Sequence, residues 1–171
     1  MPELFEHWHD YYLVQGGVAG TLVALLFVAA SVGIDYLTSE RLTEARAFMN
    51  PVVVHFTAVL VTASLALAPL QTPLLFVFVV GAGAVAGVVY STVATLRVVR
   101  LTKDRTDRLC YGMIPGLGYV VIVAAMGMIW AHVEAGPEVL AGALLVLLVV
   151  NIRNAWDLTV DLVRRHSDHK K

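Results

Sequence analysis

The sequence has very little charge. Of its 171 residues, 15% are Asp, Glu, Lys or Arg, whereas 58% are hydrophobic and the mean hydropathy is +0.76. Soluble domains carry roughly 25% charged residues. A soluble core of this size has no use for so much apolar surface, so lipid must be the solvent for much of the chain. The formal net charge of −1 gives no global basic field, which excludes nucleic acid as a partner. One cysteine, Cys110, rules out an intrachain disulfide and any cysteine-based metal framework. Residues 1–12 have neither a basic stretch nor a small-residue cleavage site, so no cleaved signal peptide is expected and the first apolar run would itself direct insertion. Low-complexity linkers and convincing internal repeats are lacking too, and the length suits one domain.

What is present is a set of long apolar runs, at about 11–34, 51–68, 73–98, 110–133 and 137–158. Crossing a hydrocarbon core of about 30 Å takes about 20 helical residues. The expected fold is therefore all-α, a polytopic membrane bundle of five transmembrane helices. Thr72-Pro73 and Asn50-Pro51 read as helix starts, with a capping side chain before a proline at the first helical position. Pro137-Glu138 places a carboxylate where the helix dipole favours it. Pro69 ends the second run, and the short link to Thr72 makes helices two and three antiparallel neighbours.

Basic residues set the expected orientation. Arg41 and Arg46 fall in the first loop, Arg97, Arg100, Lys103, Arg105 and Arg108 around the third, and Arg153, Arg164, Arg165, Lys170 and Lys171 near the C-terminus. In a five-span chain all twelve lie on one side, which places the N-terminus outside and the C-terminus in the cytoplasm of a bacterial-type inner membrane. Trp8, Tyr11, Tyr12 and Trp130 would mark the outer interface, and Tyr36, Tyr111 and Trp156 the inner one. The first loop, 37–49, reads as an amphipathic helix on the inner surface, with Leu42, Ala45 and Met49 on one face.

The middle of every run is free of Asp, Glu, Lys and Arg. Coupled transporters, proton pumps and voltage sensors usually carry such residues there, so these classes are disfavoured. Five spans do not divide into equal inverted repeats, which points the same way. Gly81, Gly83 and Ala86 match a dinucleotide-binding pattern, but that motif needs a preceding strand and a solvent-facing helix start. Packing is the better reading. Gly83, Gly87, Ser91 and Thr95 recur every four residues on the third helix, and Gly16, Gly20 and Ala24 do so on the first; small residues let helix backbones approach closely.

Polar residues gather toward the inner leaflet. The candidates for the wall of a pore or vestibule are His55, Ser91, Thr95, Asn151, Arg153, Asn154 and Asp157. His55 lies about 6 Å inside its helix end, and Asp157 about 30 Å from Pro137 along the fifth helix. Arg153 and Asp157 are spaced to pair. Pro115 frees a backbone carbonyl that needs a partner or water. The outer halves look uniformly apolar by comparison. Two readings stand side by side: a polar vestibule open to the cytoplasm, or an interhelical hydrogen-bond cluster that fixes packing.

His55 has no second histidine at its depth, so haem is not expected, and no other cofactor is indicated. His7, His9 and His132 are candidate metal ligands on the outer side. Ser31, Ser64 and Ser91 lack a base and carboxylate in any catalytic spacing, so an enzyme is not expected. The leading expectation is a channel or passive transport protein for an ion or small solute, embedded in the lipid bilayer and assembled as a homo-oligomer. The alternative is a non-transporting accessory or scaffold subunit with a protein partner at the cytoplasmic loops. A periplasmic metal-binding sensor is the third.

Overall fold

A computed structural model describes the backbone of residues 5, 7–33, 39–68, 72–101 and 105–168, and the side chains of these residues except 32–33, 39–48, 73, 98–101, 105, 107 and 161–168. Regular structure among the described residues is entirely helical. Helix α1 is His9–Gly33, α2 is Ser39–Leu67 and α3 is Pro73–Leu101. The next rod, α4, joins a short α-turn Arg105–Arg108, a π-helical turn Leu109–Met113 and the α-helix Ile114–Trp130. Helix α5 is Gly136–Asp168. Each of the five contains a stretch long and apolar enough to cross a membrane: His9–Ser31, Met49–Leu67, Leu74–Arg97, Leu109–Trp130 and Gly136–Val160.

Contacts fix the topology. Tyr12 Oη donates to the Pro137 carbonyl (2.8 Å), and Phe5 stacks edge-on against Phe76 (5.3 Å between centroids), so the starts of α1, α3 and α5 share one end. At the opposite end, Asn154 bonds Cys110, and a side chain added at Gly112 would meet Thr95. Successive helices therefore alternate in direction. Arg97, Arg108 and Arg153 all belong to this second end, called the basic end below. Helices α2, α3, α4 and α5 form a closed ring of neighbours, and α1 lies against α2 and α5. Half of the α5 span is buried, against 22% of the α1 span, which makes α5 a central element and α1 a peripheral one. Outward positions such as Phe27, Phe78, Leu117 and Val149 are exposed and apolar, as lipid contact requires.

Two of the three expected helix starts are present. The Leu75 N–H donates to Thr72 Oγ1 (3.4 Å) ahead of α3, and Glu138 lies in the first turn of α5. Asn50-Pro51 is different, because α2 begins at Ser39 and runs through Pro51. A proline removes one hydrogen bond, to the carbonyl four residues earlier. Here that carbonyl belongs to Ala47, which precedes the apolar span starting at Met49. Water can serve it there, so the helix continues. Segment 39–48, expected as a separate surface helix, is thus helical backbone continuous with the second span. Its amphipathic faces lie outside the described side chains, as do the Pro69-Leu70-Gln71 link, Tyr36, Lys103, and the side chains of Arg100, Arg105 and residues 161–171.

The turn between α4 and α5 closes by backbone chemistry. His132 N–H donates to Ile129 O (3.1 Å) and Val133 N–H to Met128 O (2.9 Å), the paired bonds of a Schellman motif. His132 sits at the left-handed position of that motif, with φ 56°. A side chain there carries a penalty of roughly 1–2 kcal/mol that glycine avoids. His132→Gly is expected to stabilise the protein by about 1 kcal/mol. Thermal unfolding in detergent checks this: a higher midpoint is expected, and a lower one would mean that the imidazole makes a contact of its own.

Candidate functional site

The polar residues of the inner ring come from four helices, each placed by a local sequence feature. On α3, Gly87, Ser91 and Thr95 face α4. A Cβ at Gly87 would lie 2.5 Å from the Tyr119 ring, and one at Gly116 would lie 3.6 Å from Ser91 Cβ. Thr95 fits against Gly112. This zipper of small residues draws the two helices together. Gly83, the fourth member of the stripe, is exposed and faces open space. Each four-residue step turns an α-helix about 40° beyond a full turn. Three steps carry Gly83 about 120° from Thr95, off the interface. On α1, Gly16 and Gly20 pack on Ala63 and Leu60 of α2, while Ala24 drifts outward in the same way.

Pro115 explains the next feature. In the π-helical turn the Ile114 N–H donates to Leu109 O, one residue further back than in an α-helix. The Cys110 carbonyl thereby loses Ile114 as a donor, and the following residue, Pro115, has no N–H to offer. Asn154 supplies the missing donor, with Nδ2 at 2.9 Å from Cys110 O. Tyr111 Oη donates in return to the Asn154 carbonyl (2.9 Å). These two bonds clasp α4 to α5 near the basic end. Asn154 and Tyr111 are buried.

The clasp leads, about one turn deeper, to the centre of the ring. His55 of α2, Ser91 of α3, Tyr119 of α4 and Asn151 of α5 are all at most 2% exposed. His55 Nδ1 and Tyr119 Oη are 2.8 Å apart and hydrogen-bonded. Asn151 Nδ2 donates to Leu147 O one turn back (2.7 Å), and Leu147 packs against the Gly118 position of α4. The four residues therefore fall within roughly two helical turns of depth. Their remaining polar atoms are unusual. His55 Nε2, Ser91 Oγ and Asn151 Oδ1 are buried and have no hydrogen-bond partner among the described residues. Buried polar atoms are normally paired, so three such atoms on three helices at similar depth call for an explanation. Oδ1 is an acceptor and the Ser91 hydroxyl is both donor and acceptor. Nε2 carries the proton if Tyr119 donates to Nδ1, and accepts in the other tautomer.

Thr95 is half-buried and donates to the Ser91 carbonyl (2.7 Å). Arg153 and Asp157 pair at 2.9 Å with both side chains about 40% exposed, at the edge of the bundle. Sequence reasoning passed over Tyr119 as a site residue, although a tyrosine in mid-span needs a partner for its hydroxyl. It also missed polar contacts at the other end. Gln15 is buried and donates to Ala141 O (3.2 Å), with its Oε1 unpartnered among the described residues, and Tyr12 is wholly buried.

His7, His9 and His132 are exposed, and among the described residues no group of three or more His, Cys, Asp or Glu side chains could hold a metal ion. Comparison with protein-family models, curated proteins and solved structures finds no match. The functional reading therefore rests on geometry.

Proposed function

We propose that this chain is a small passive transport protein whose solute site is the polar centre formed by His55, Ser91, Tyr119 and Asn151. One observation carries the reading: three helices each bring a buried polar atom, without a partner among the described residues, to similar depth in an apolar span. Each such atom costs about 1–3 kcal/mol if nothing pairs with it. An apolar replacement would avoid that cost, so a solute that uses these atoms gives a reason for their presence. Thr95, Asn154 and the Arg153–Asp157 pair lie between the centre and the basic end, which makes that end the polar approach.

By the distribution of lysine and arginine, the basic end is cytoplasmic and the N-terminus is outside. A membrane-impermeant thiol label added to intact cells should then react with Glu134→Cys in a Cys110→Ser background. Labelling only after lysis would reverse the orientation.

The functional test is flux into proteoliposomes for a panel of ions and small neutral solutes. Protein-dependent flux of at least one solute is expected, falling at least ten-fold in Asn151→Leu. Absence of flux for every solute, with folded protein, removes the proposal.

An accessory or scaffold role is the second reading. It is favoured by the helical backbone of α2 and α5 that continues past the apolar spans at the basic end, over 39–48 and 161–168. A stoichiometric partner that co-purifies, and is lost when Arg41 and Arg46 are neutralised, would establish it.

A further inference from the structure

We infer that the molecule taken by the polar centre is a small neutral solute that both donates and accepts hydrogen bonds, of the kind represented by formamide, urea or glycerol, and not an ion. The inference rests on the transport reading above and deepens it.

The free valences of the centre set its chemistry. Asn151 Oδ1 accepts, Ser91 Oγ donates or accepts, and His55 Nε2 does one or the other according to the tautomer set by Tyr119. This is a mixed set, matched by a molecule with both kinds of group. A metal cation needs a shell of oxygens, six or more for a hard divalent ion, and a carbonyl-ring filter needs many like dipoles. The centre offers two side-chain oxygens without partners among the described residues. One N–H of Asn151 Nδ2 is committed to Leu147 O, which leaves the other as a further donor, and the Cys110 carbonyl is committed to Asn154.

Charge points the same way. A desolvated ion needs a partner of opposite sign. The four residues of the centre include no Asp, Glu, Lys or Arg. Arg153 and Asp157 neutralise each other at the bundle edge, and Arg97 is exposed. Asp10, Glu134 and Glu138 are exposed at the far end. An anion would find only neutral side-chain donors in the centre, from Ser91, His55 and Asn151, and no Lys or Arg. A neutral solute leaves no uncompensated charge, and it exchanges its hydrogen bonds to water for bonds to the three free atoms.

The test measures two fluxes on the same proteoliposomes. Light scattering after an osmotic jump reads entry of formamide, urea and glycerol, while potassium and chloride movement is read by ion-sensitive dyes under an imposed gradient. At least one neutral solute should enter ten-fold faster than in protein-free vesicles, with ion movement unchanged. Ser91→Ala should reduce that entry at least five-fold and Asn151→Leu at least ten-fold, both while eluting as monodisperse protein. Ion flux without accelerated neutral entry would overturn the inference and leave the transport reading standing. Flux of neither kind would remove both. Neutral entry undiminished in both variants would place the path elsewhere and overturn the inference.

Discussion

Asn154→Leu is expected to destabilise the protein by about 1–3 kcal/mol, the cost of leaving a buried carbonyl without a donor. The carbonyl is that of Cys110, and its need is built into the sequence. Pro115 cannot donate to it, and Ile114 already donates to Leu109 in the π-helical turn. Asn154 Nδ2 is the donor that remains. Leucine keeps the four heavy atoms and the Cγ branch of asparagine but offers no N–H, so it removes the hydrogen bond. Asn154→Asp would test the chemistry further, since a carboxylate offers no N–H. Both variants should unfold at lower temperature in detergent, and Pro115→Ala should lessen the effect of Asn154→Leu by giving Cys110 an N–H within its own helix. Equal loss with and without Pro115 would contradict this account of the clasp.

Gly87→Ala should do comparable harm through the zipper. Its new methyl would meet three atoms of the Tyr119 ring at 2.5–2.7 Å, closer than any real Cβ contact. The ring has little freedom to yield, since it is 2% exposed and its hydroxyl bonds His55. Overpacking of this kind costs about 1–3 kcal/mol. Replacing glycine by alanine in a helix returns at most about 1 kcal/mol. The clash should win, and the displaced Tyr119 should loosen its bond to His55 and lower solute flux. Gly83→Ala is the matched control, with the same propensity gain and no neighbour within 4 Å of the new carbon. It should unfold at the same or higher temperature. If both alanines behave alike, the two glycines do not differ in the way this packing requires.

Much of the architecture was legible in the sequence because lipid imposes strong rules. Long apolar runs announced the five spans, and Thr72-Pro73 and Pro137-Glu138 announced two helix starts. Pro51 misled because its effect depends on which carbonyl loses a donor and whether water can reach it, which is a matter of depth. Gly83 misled because a four-residue stripe drifts around the helix. The candidate residues are another matter. His55, Ser91, Asn151 and Asn154 stood out as polar groups in apolar runs, yet spacing within one helix says nothing about partners on another. Only the packed ring separates Asn154, whose amide is engaged in the clasp, from His55, Ser91 and Asn151, each with an unpartnered polar atom. Tyr119 joins the site through a bond across 64 residues of chain, which no local pattern reveals.

The most direct measurement reads stability and flux together in Asn151→Leu. If Asn151 is kept for a solute, removing its unpaired Oδ1 should leave the unfolding temperature unchanged or raise it, because an apolar side chain with the same branching ends the burial penalty. Solute entry should fall to the level of protein-free vesicles. A clear fall in unfolding temperature with solute entry intact would contradict the account and make the polar centre a device for holding the helices together.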